Sequence, residues 1–395
     1  MIKVAHIITG LSVGGAEGML LEILRRIDRS TFDCRVLSLT GEGPLAEEFR
    51  KIGIITDTVT FGASPAALIA TLDLIRWLRD FGPDVVQTWM PHANLIGAGA
   101  ALAMGIKARC WSLHAGNLDR KYYSNSTYAI IRLSAALSKW LPNRIISCSR
   151  RGWEAHERIG YDPTGALIIP NGVDVERMSP HPIARELVRS EIGIDLHTPL
   201  VGMIARFDPQ KNHMGFLIAA GLINEIDPSV HFVLAGDRAD GSNSVLVDTI
   251  HRGGLTDRFH LLGRRNDIPS LLSALDVLAS PSHGEAFPVA LIEAMACEIP
   301  CVVTNAGDSA AIVGETGRVV ECGNMRGLAQ GILELLQLPK MKRRELGQLA
   351  RLRVLQHFDI NQTVLMYEGV YRTLMKNASL LPPGSEKRQS RGLSE

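Results

Sequence analysis

Short β-branched runs alternate with helical stretches along this chain, in two successive series. KVAHIIT (3–9) reads as a buried strand, followed by the loop GLSVGG and the helix AEGMLLEILRRI. CRVLSLT (34–40), DVVQTW (84–89), ARCWSLH (108–114) and RIISCS (144–149) continue the series. The alternation weakens near 176–198, where MSPHP and DLHTP bracket a short helix, and restarts with LVGMIA (200–205), HFVLAG (231–236), FHLLG (259–263), DVLASPS (276–282) and IPCVVT (299–304). A βαβα order of this kind demands a parallel sheet with helices on both faces. The expected fold is therefore α/β, with two Rossmann-like domains and a cleft between them. The boundaries read as 1–176, a linker 177–198, a second domain 199–358, a late helix 359–376 and a polar, proline-bearing tail 377–395 expected to be disordered. Ligands in such sheets bind beyond the carboxyl ends of the strands, so the informative residues should follow each strand.

Length and composition agree with that reading. A chain of 395 residues that is 46% hydrophobic has material for two cores. A net charge of +1 gives no reason to expect a nucleic-acid partner. The six cysteines form no C-x-x-C pair and read as buried thiols in a reducing compartment. The N-terminus lacks the long apolar run of a secretory signal. The small-residue stretch NLIGAGAALAMGI (94–106) is too short to span a membrane and reads as a packed helix. A cytoplasmic protein is expected.

Three loops could carry chemistry. Gly10 to Glu17 (GLSVGGAE) follows the first strand; glycines and a helix N-terminus there serve equally as a tight turn or as a phosphate or sugar contact. It is neither a Walker A loop nor G-x-G-x-x-G. Arg206 and Lys211 bracket a proline turn, RFDPQKN, that suits a diphosphate or is simply solvated. GEAFPVALIE (284–293) carries Glu285 and Glu293 at the ends of an otherwise apolar segment, with Pro288 placed for the first helical position. Each carboxylate could accept two hydroxyls of a vicinal diol. By chemistry alone the favoured reading is plainer, with Glu285 capping the helix and Glu293 facing solvent. His114 ends its strand toward the same cleft, although a lone histidine is more often structural. NGVD (171–174) reads as a turn capped by Asp174. No histidine pair has metal spacing, no D-x-D is present, and GDSAA (307–311) lacks the second glycine of a nucleophile elbow.

Taken in order, GGAE (14–17), His114, NGVD, R-x4-K (206–211), GD (236–237) and the E-x7-E of GEAFPVALIEAMA resemble the retaining glycosyltransferases of family 4, the glycosyl transferases group 1, over about 1–375. The resemblance implies a GT-B architecture: two facing Rossmann-like domains, the first binding acceptor and the second the sugar nucleotide, across a deep interdomain cleft. Glu285 would bind hydroxyls of the donor sugar. The backbone of Ala286, Phe287, Pro288 and Val289 would line the sugar and phosphate, and Glu293 would hold the ribose. Arg206 and Lys211 would neutralise the diphosphate. Gly14 and Gly15 would approach it from the facing domain, and His114 would contact the transferred sugar. Backbone near Arg264 and Arg265 would meet the base, and the last helix would cross back onto the first domain. The family implies a nucleoside-diphosphate-sugar (UDP- or GDP-sugar) as co-substrate, with no cofactor and no metal, and retention of anomeric configuration. Ala286 stands where many members have glycine.

On the acceptor side, WMPHAN (89–94) makes His92 and Asn94 candidate contacts for a glycan or lipid-linked acceptor. Segment 105–158 holds ten Lys and Arg against three acids, with Tyr122, Tyr123, Tyr128 and Trp140 interleaved. That pattern suits an anionic membrane face, or a solvated surface with buried aromatics. A nicotinamide oxidoreductase shares the strand–loop–helix pattern but predicts an acidic end to the second strand, where this chain has Thr40-Gly41-Glu42. A non-catalytic sugar-nucleotide-binding protein is the other alternative.

Overall fold

The computed structural model describes residues 1–61 and 66–380. It contains two parallel sheets. The first comprises β1 (Ile2–Ile8), β2 (Phe32–Ser38), β3 (Ile55–Thr58), β4 (Val85–Trp89), β5 (Ala108–Leu113), β6 (Arg144–Ser147) and β7 (Ala166–Ile168), in the order β3-β2-β1-β4-β5-β6-β7. The second comprises β8 (Leu200–Ile204), β9 (His231–Ala235), β10 (Phe259–Gly263), β11 (Val277–Ser280), β12 (Cys301–Thr304) and β13 (Arg318–Val320), in the order β10-β9-β8-β11-β12-β13. Each sheet reverses direction beside its first strand, between β1 and β4 and between β8 and β11. A crevice opens at such a reversal because the helices on either side leave to opposite faces.

The sequence runs locate ten of these strands within one or two residues. β3, β7 and β13 carried no clear signal. They are sheet edges of four, three and three residues, and their partial exposure removes the apolar run that marks a central strand. The central strands β4 and β5 are buried at every position. The small-residue helix Pro91–Ala103 lies tightly on the first sheet. A Cβ at Gly97 would come within 3.0 Å of Thr88 and Ile7. No helix among the described residues is long and apolar enough to cross a membrane. Five cysteines are buried as expected, but Cys322, just beyond edge strand β13, is exposed.

The segment read as a linker, 177–198, is bonded to the second domain. Its helix Pro182–Glu191 delivers Arg185 and Arg189 to Asp276, at 2.9 and 2.7 Å. Arg189 is fully buried, and its guanidinium also donates to the carbonyls of Ala274, Asp195, Leu196 and Thr198. Asp276 in turn accepts from the Leu200 amide at the start of β8.

The chain crosses between domains twice, and the crossings bond to each other. The Val173 amide donates to the Phe358 carbonyl at 2.8 Å, and the Ile360 amide to the Val173 carbonyl at 3.0 Å. Asp174 accepts from the amides of Glu176 and Arg177 and also pairs with Arg26 of the first domain. The last helix, Ile360–Leu380, runs past the expected end at 376. Its Val364, Tyr367, Val370, Tyr371 and Leu374 join the core of the first domain. Of the tail expected to be disordered, 377–380 are helical, and 381–395 lie outside the described residues.

Removing one partner of a buried ion pair strands the other charge. Asp276→Ala should therefore destabilise the protein by about 3–5 kcal/mol, measured by denaturant unfolding of the second domain.

Candidate functional site

The second sheet's reversal builds the site. After β8 the chain makes a single tight turn, Pro209–Lys211, in which Asp208 accepts from the Gln210 amide at 2.9 Å. Asn212 then adopts a left-handed conformation (φ 58°) and caps the helix His213–Ile226 through the Gly215 amide. Asparagine is among the few residues that tolerate that conformation. The same side chain donates to the carbonyl of Pro281, in the loop after β11, at 3.1 Å. The His283 amide donates back to the Gln210 carbonyl at 2.7 Å. Two loops far apart in sequence are thereby held side by side.

This brings Lys211 Nζ to 2.6 Å from Glu285 Oε1. Ser282 Oγ donates to the same oxygen at 2.8 Å, and Thr304 steadies the loop by donating to the Ser282 carbonyl. Glu285 is only 9% exposed. Among the described residues its Oε2 accepts no hydrogen bond. A small pocket of about 50 Å³ lies here, lined by Lys211, Ser282, Glu285, Pro288 and the ends of β8 and β11. Glu285 is thus an oriented carboxylate with one oxygen unused, and it does not cap the helix.

Pro288 sits at the cap position, one residue before its expected place, and the helix runs Val289–Ala296. Glu293 is in the second turn. It does not titrate as a solvated carboxylate: burial pushes its pKa up to about 7, Arg177 lowers it, and Glu22 of the first domain raises it. Ala286 and Phe287 are buried, and the Phe287 ring meets Phe358 edge-on at 5.5 Å. The Phe287 side chain therefore belongs to the core.

The first domain closes on this loop through backbone. A Cβ at Gly116 would lie 1.8 Å from the Glu285 carbonyl oxygen; within the second domain itself, one at Gly307 (φ 51°) would lie 2.1 Å from it. Only glycine allows such approach. His114 is two residues before Gly116, and its ring stacks on Trp89 with centroids 5.3 Å apart. Burial lowers its pKa to about 4, so it is neutral near pH 7. Across the cleft, Asp308 accepts from the amides of Arg150 and Arg151, each at 2.9 Å, at the N-terminus of the helix Arg150–Arg158. Arg151 also bonds Asn305. Gly14 and Gly15 open the helix Gly15–Arg26. A side chain at Gly14 would strike the Glu17 carboxylate, which also accepts from Ser12, while Gly15 faces open space.

Other expected residues stand apart. Arg206 is 58% exposed and pairs with Asp208 at 3.3 Å, not with the Lys211–Glu285 pair. Arg264 is exposed, and Arg265 is engaged by Asp267 and Glu191, which raises its pKa. Asn94 is corrected as an acceptor contact: it is fully buried, accepting from Thr88 at 2.7 Å and donating to the Ser112 carbonyl. The register of the first sheet, which sets Thr88 and Ser112 beside it, consumes the amide. His92 is half-buried at the start of the same helix. Asn212, Ser282, Thr304, Asp308 and Gly116 were not singled out from sequence. Of these only Asn212 had a local signal, as a helix-capping residue just after Lys211. Among the described residues no cluster of three or more His, Cys, Asp or Glu is placed to hold a metal ion.

Two family models match. The one described as Glycosyltransferase Family 4 covers residues 13–177, and Glycosyl transferases group 1 covers residues 184–353. Among curated relatives, UDP-Gal:alpha-D-GlcNAc-diphosphoundecaprenol alpha-1,3-galactosyltransferase of Escherichia coli is 26% identical over 327 residues, covering 77% of this chain and 79% of the relative. N,N'-diacetylbacillosaminyl-diphospho-undecaprenol alpha-1,3-N-acetylgalactosaminyltransferase of Campylobacter jejuni is 26% identical over 313 residues, covering 77% and 81%. Anabaena HepE in complex with UDP-glucose superposes with a TM-score of 0.82 at 22% identity, covering 96% of this chain and all of that one. Sucrose-phosphate synthase from Thermosynechococcus elongatus gives 0.82 at 19% identity, covering 95% of this chain and all of that one. Both structures share the two-domain fold.

The buried histidines around the site make acid stability predictable. Burial lowers His6 to about 3 and His114, His156 and His213 to about 4. The unfolded chain takes up these protons near pH 6.5 and the folded one only near 4. Stability present above about pH 6.5 is therefore lost as pH falls toward 4. Glu293, raised to about 7, acts in the opposite sense but is one group against these four and His260, which burial also lowers to about 4. The melting temperature should fall steadily between pH 6.5 and 4.5 in a buffer series at constant ionic strength.

Proposed function

The chain belongs to the glycosyltransferases of family 4, and from that membership we propose that it transfers a sugar from a UDP- or GDP-sugar to a glycan or lipid-linked acceptor in cell-surface polysaccharide or glycolipid assembly. The observation that carries the reading is the Lys211–Glu285 pair at the second sheet's reversal, with one carboxylate oxygen unused and the first domain's backbone against it. Two relatives are named for transfer to diphosphoundecaprenol-linked sugars, which favours an acceptor of that class.

In this reading Glu285 Oε2 accepts hydroxyls of the donor sugar, and the backbone of Ala286–Val289 lines sugar and phosphate. Lys211 already neutralises Glu285, and its ammonium is positioned to share that charge with the leaving diphosphate. Arg206, free of the pocket and paired only with Asp208, swings to the outer phosphate. Preorganised cations of this sort favour the state in which the bond to the sugar has broken. Gly15 presents an unobstructed helix N-terminus to the diphosphate from the facing domain. Glu293 holds the ribose diol, and backbone near Arg264 meets the base. Neutral His114 contacts the sugar as it transfers. The acceptor hydroxyl attacks from the side the diphosphate leaves, its proton passes to the departing phosphate oxygen, and configuration is retained. No cofactor or metal enters these steps.

A panel of UDP, GDP, ADP and their sugars in a thermal-shift assay tests the donor, since a matched ligand raises the melting temperature by mass action. No shift with any of them overturns the reading. Glu285→Ala and Lys211→Ala should each lower kcat/KM by about 100-fold, as loss of one stabilising donor does. Losses below about threefold in both would misplace the site.

We also propose that segment 105–158 docks on an anionic membrane. Trp140 is 63% exposed, and Leu133, Arg132 and Lys139 are exposed with it, giving the apolar wedge and cationic rim that such docking uses. The protein should sediment with anionic liposomes at low salt more than with neutral ones. Equal sedimentation rejects docking.

A further inference from the structure

Resting on that placement of His114, we propose that Tyr367 and Trp89 are positioning residues that set the orientation of the His114 imidazole, so that the last helix reaches the reaction centre through a column of stacked rings. Among the described residues no hydrogen bond holds either nitrogen of His114. What fixes its ring is a stack on Trp89, with centroids 5.3 Å apart and planes 23° from parallel. Trp89 ends β4, at the first sheet's reversal, and stacks on its other neighbour, Tyr367, at 5.7 Å and 17°. Its indole nitrogen donates to His6 Nδ1 at 3.3 Å, which fixes rotation about its own axis. Trp89 and Tyr367 are fully buried.

Tyr367 also packs in the first-domain core, where its ring lies 6.3 Å from that of Tyr371. Its hydroxyl is 3.5 Å from Ser112 Oγ, a long contact within a polar cluster that includes Gln87. The ring arrives on Ile360–Leu380, the helix that begins where the two chain crossings bond to each other. Stacked rings hold orientation with few rotatable bonds, and such pairs stabilise beyond the area they bury. An imidazole without hydrogen bonds has little else to keep it aimed at a sugar. Removing the base of the column leaves Trp89 free to tilt into the space, and His114 tilts with it.

The test is a double-mutant cycle in the full chain, with the nucleotide sugar selected by the thermal-shift panel. Tyr367→Leu should lower kcat by about tenfold, in line with the cost of misplacing a reacting group. The affinity for the nucleotide alone should stay within twofold. Tyr367→Phe should keep wild-type kcat, because it retains the ring. Combined with His114→Ala, Tyr367→Leu should add no further loss. The ring-proton resonance of His114, assigned by its disappearance in His114→Ala, should move in Tyr367→Leu and stay in Tyr367→Phe. If Tyr367→Leu does not fold, Trp89→Phe replaces it, with a partial loss and the same non-additivity expected. Additive losses, or a drop in melting temperature with kcat unchanged, overturn the column. Full activity in His114→Ala removes His114 from the site and the inference with it, whereas an impaired His114→Ala beside an unimpaired Tyr367→Leu leaves the site reading standing and ends the column alone.

Discussion

A lysine and a glutamate meet 2.6 Å apart where the second sheet reverses its strand order, and the rest of the cleft is arranged around them. A partly buried ion pair adds little to stability, because desolvation offsets much of the attraction. Here the geometry is nevertheless fixed by other means. Asn212 bonds across to Pro281, His283 bonds back to Gln210, and Ser282 donates to the same carboxylate oxygen that Lys211 holds. These contacts leave Glu285 with one oriented oxygen and no freedom to turn it away. A carboxylate so placed is preorganised toward whatever donates to it.

The two domains approach one another through backbone and through a shared cap. Gly116 of the first domain presses on the Glu285 carbonyl of the second at a distance no side chain would permit. Asp308 lends its carboxylate to the N-terminus of a helix in the other domain, where unpaired amides and the helix dipole favour an anion. Both chain crossings meet at Val173 and Phe358–Ile360, so the two covalent links between the domains run side by side. Beyond Arg177, which lies 4.0 Å from Glu22 of the first domain, the segment 177–198 is tied to the second domain through Arg185, Arg189 and Asp276.

Charge inside the cleft is kept low. His114 and His213 are held neutral by burial, and Glu293 is pushed toward neutrality at physiological pH. The cations are divided accordingly. Lys211 is spent on Glu285, while Arg206 stays solvated on the rim with Asp208.

The sequence alone determined the α/β class and the two sheets, because buried central strands impose an unbroken apolar run that the alternation with helices makes readable. It also marked Lys211, Glu285 and Glu293, whose charges interrupt apolar or turn segments just after strands. What it could not decide was which way side chains point once distant segments meet. Arg206 and Lys211 look alike in one short turn, yet Lys211 reaches Glu285 while Arg206 pairs with Asp208. Asn94 looked exposed to the cleft and is buried, because the register of β4 and β5 puts Thr88 and Ser112 beside it. The edge strands, the weld at Arg189 and Asp276, and the stack of Tyr367, Trp89 and His114 all join residues tens to hundreds of positions apart. Local pattern carries no record of such pairings; they exist only after the chain has closed on itself.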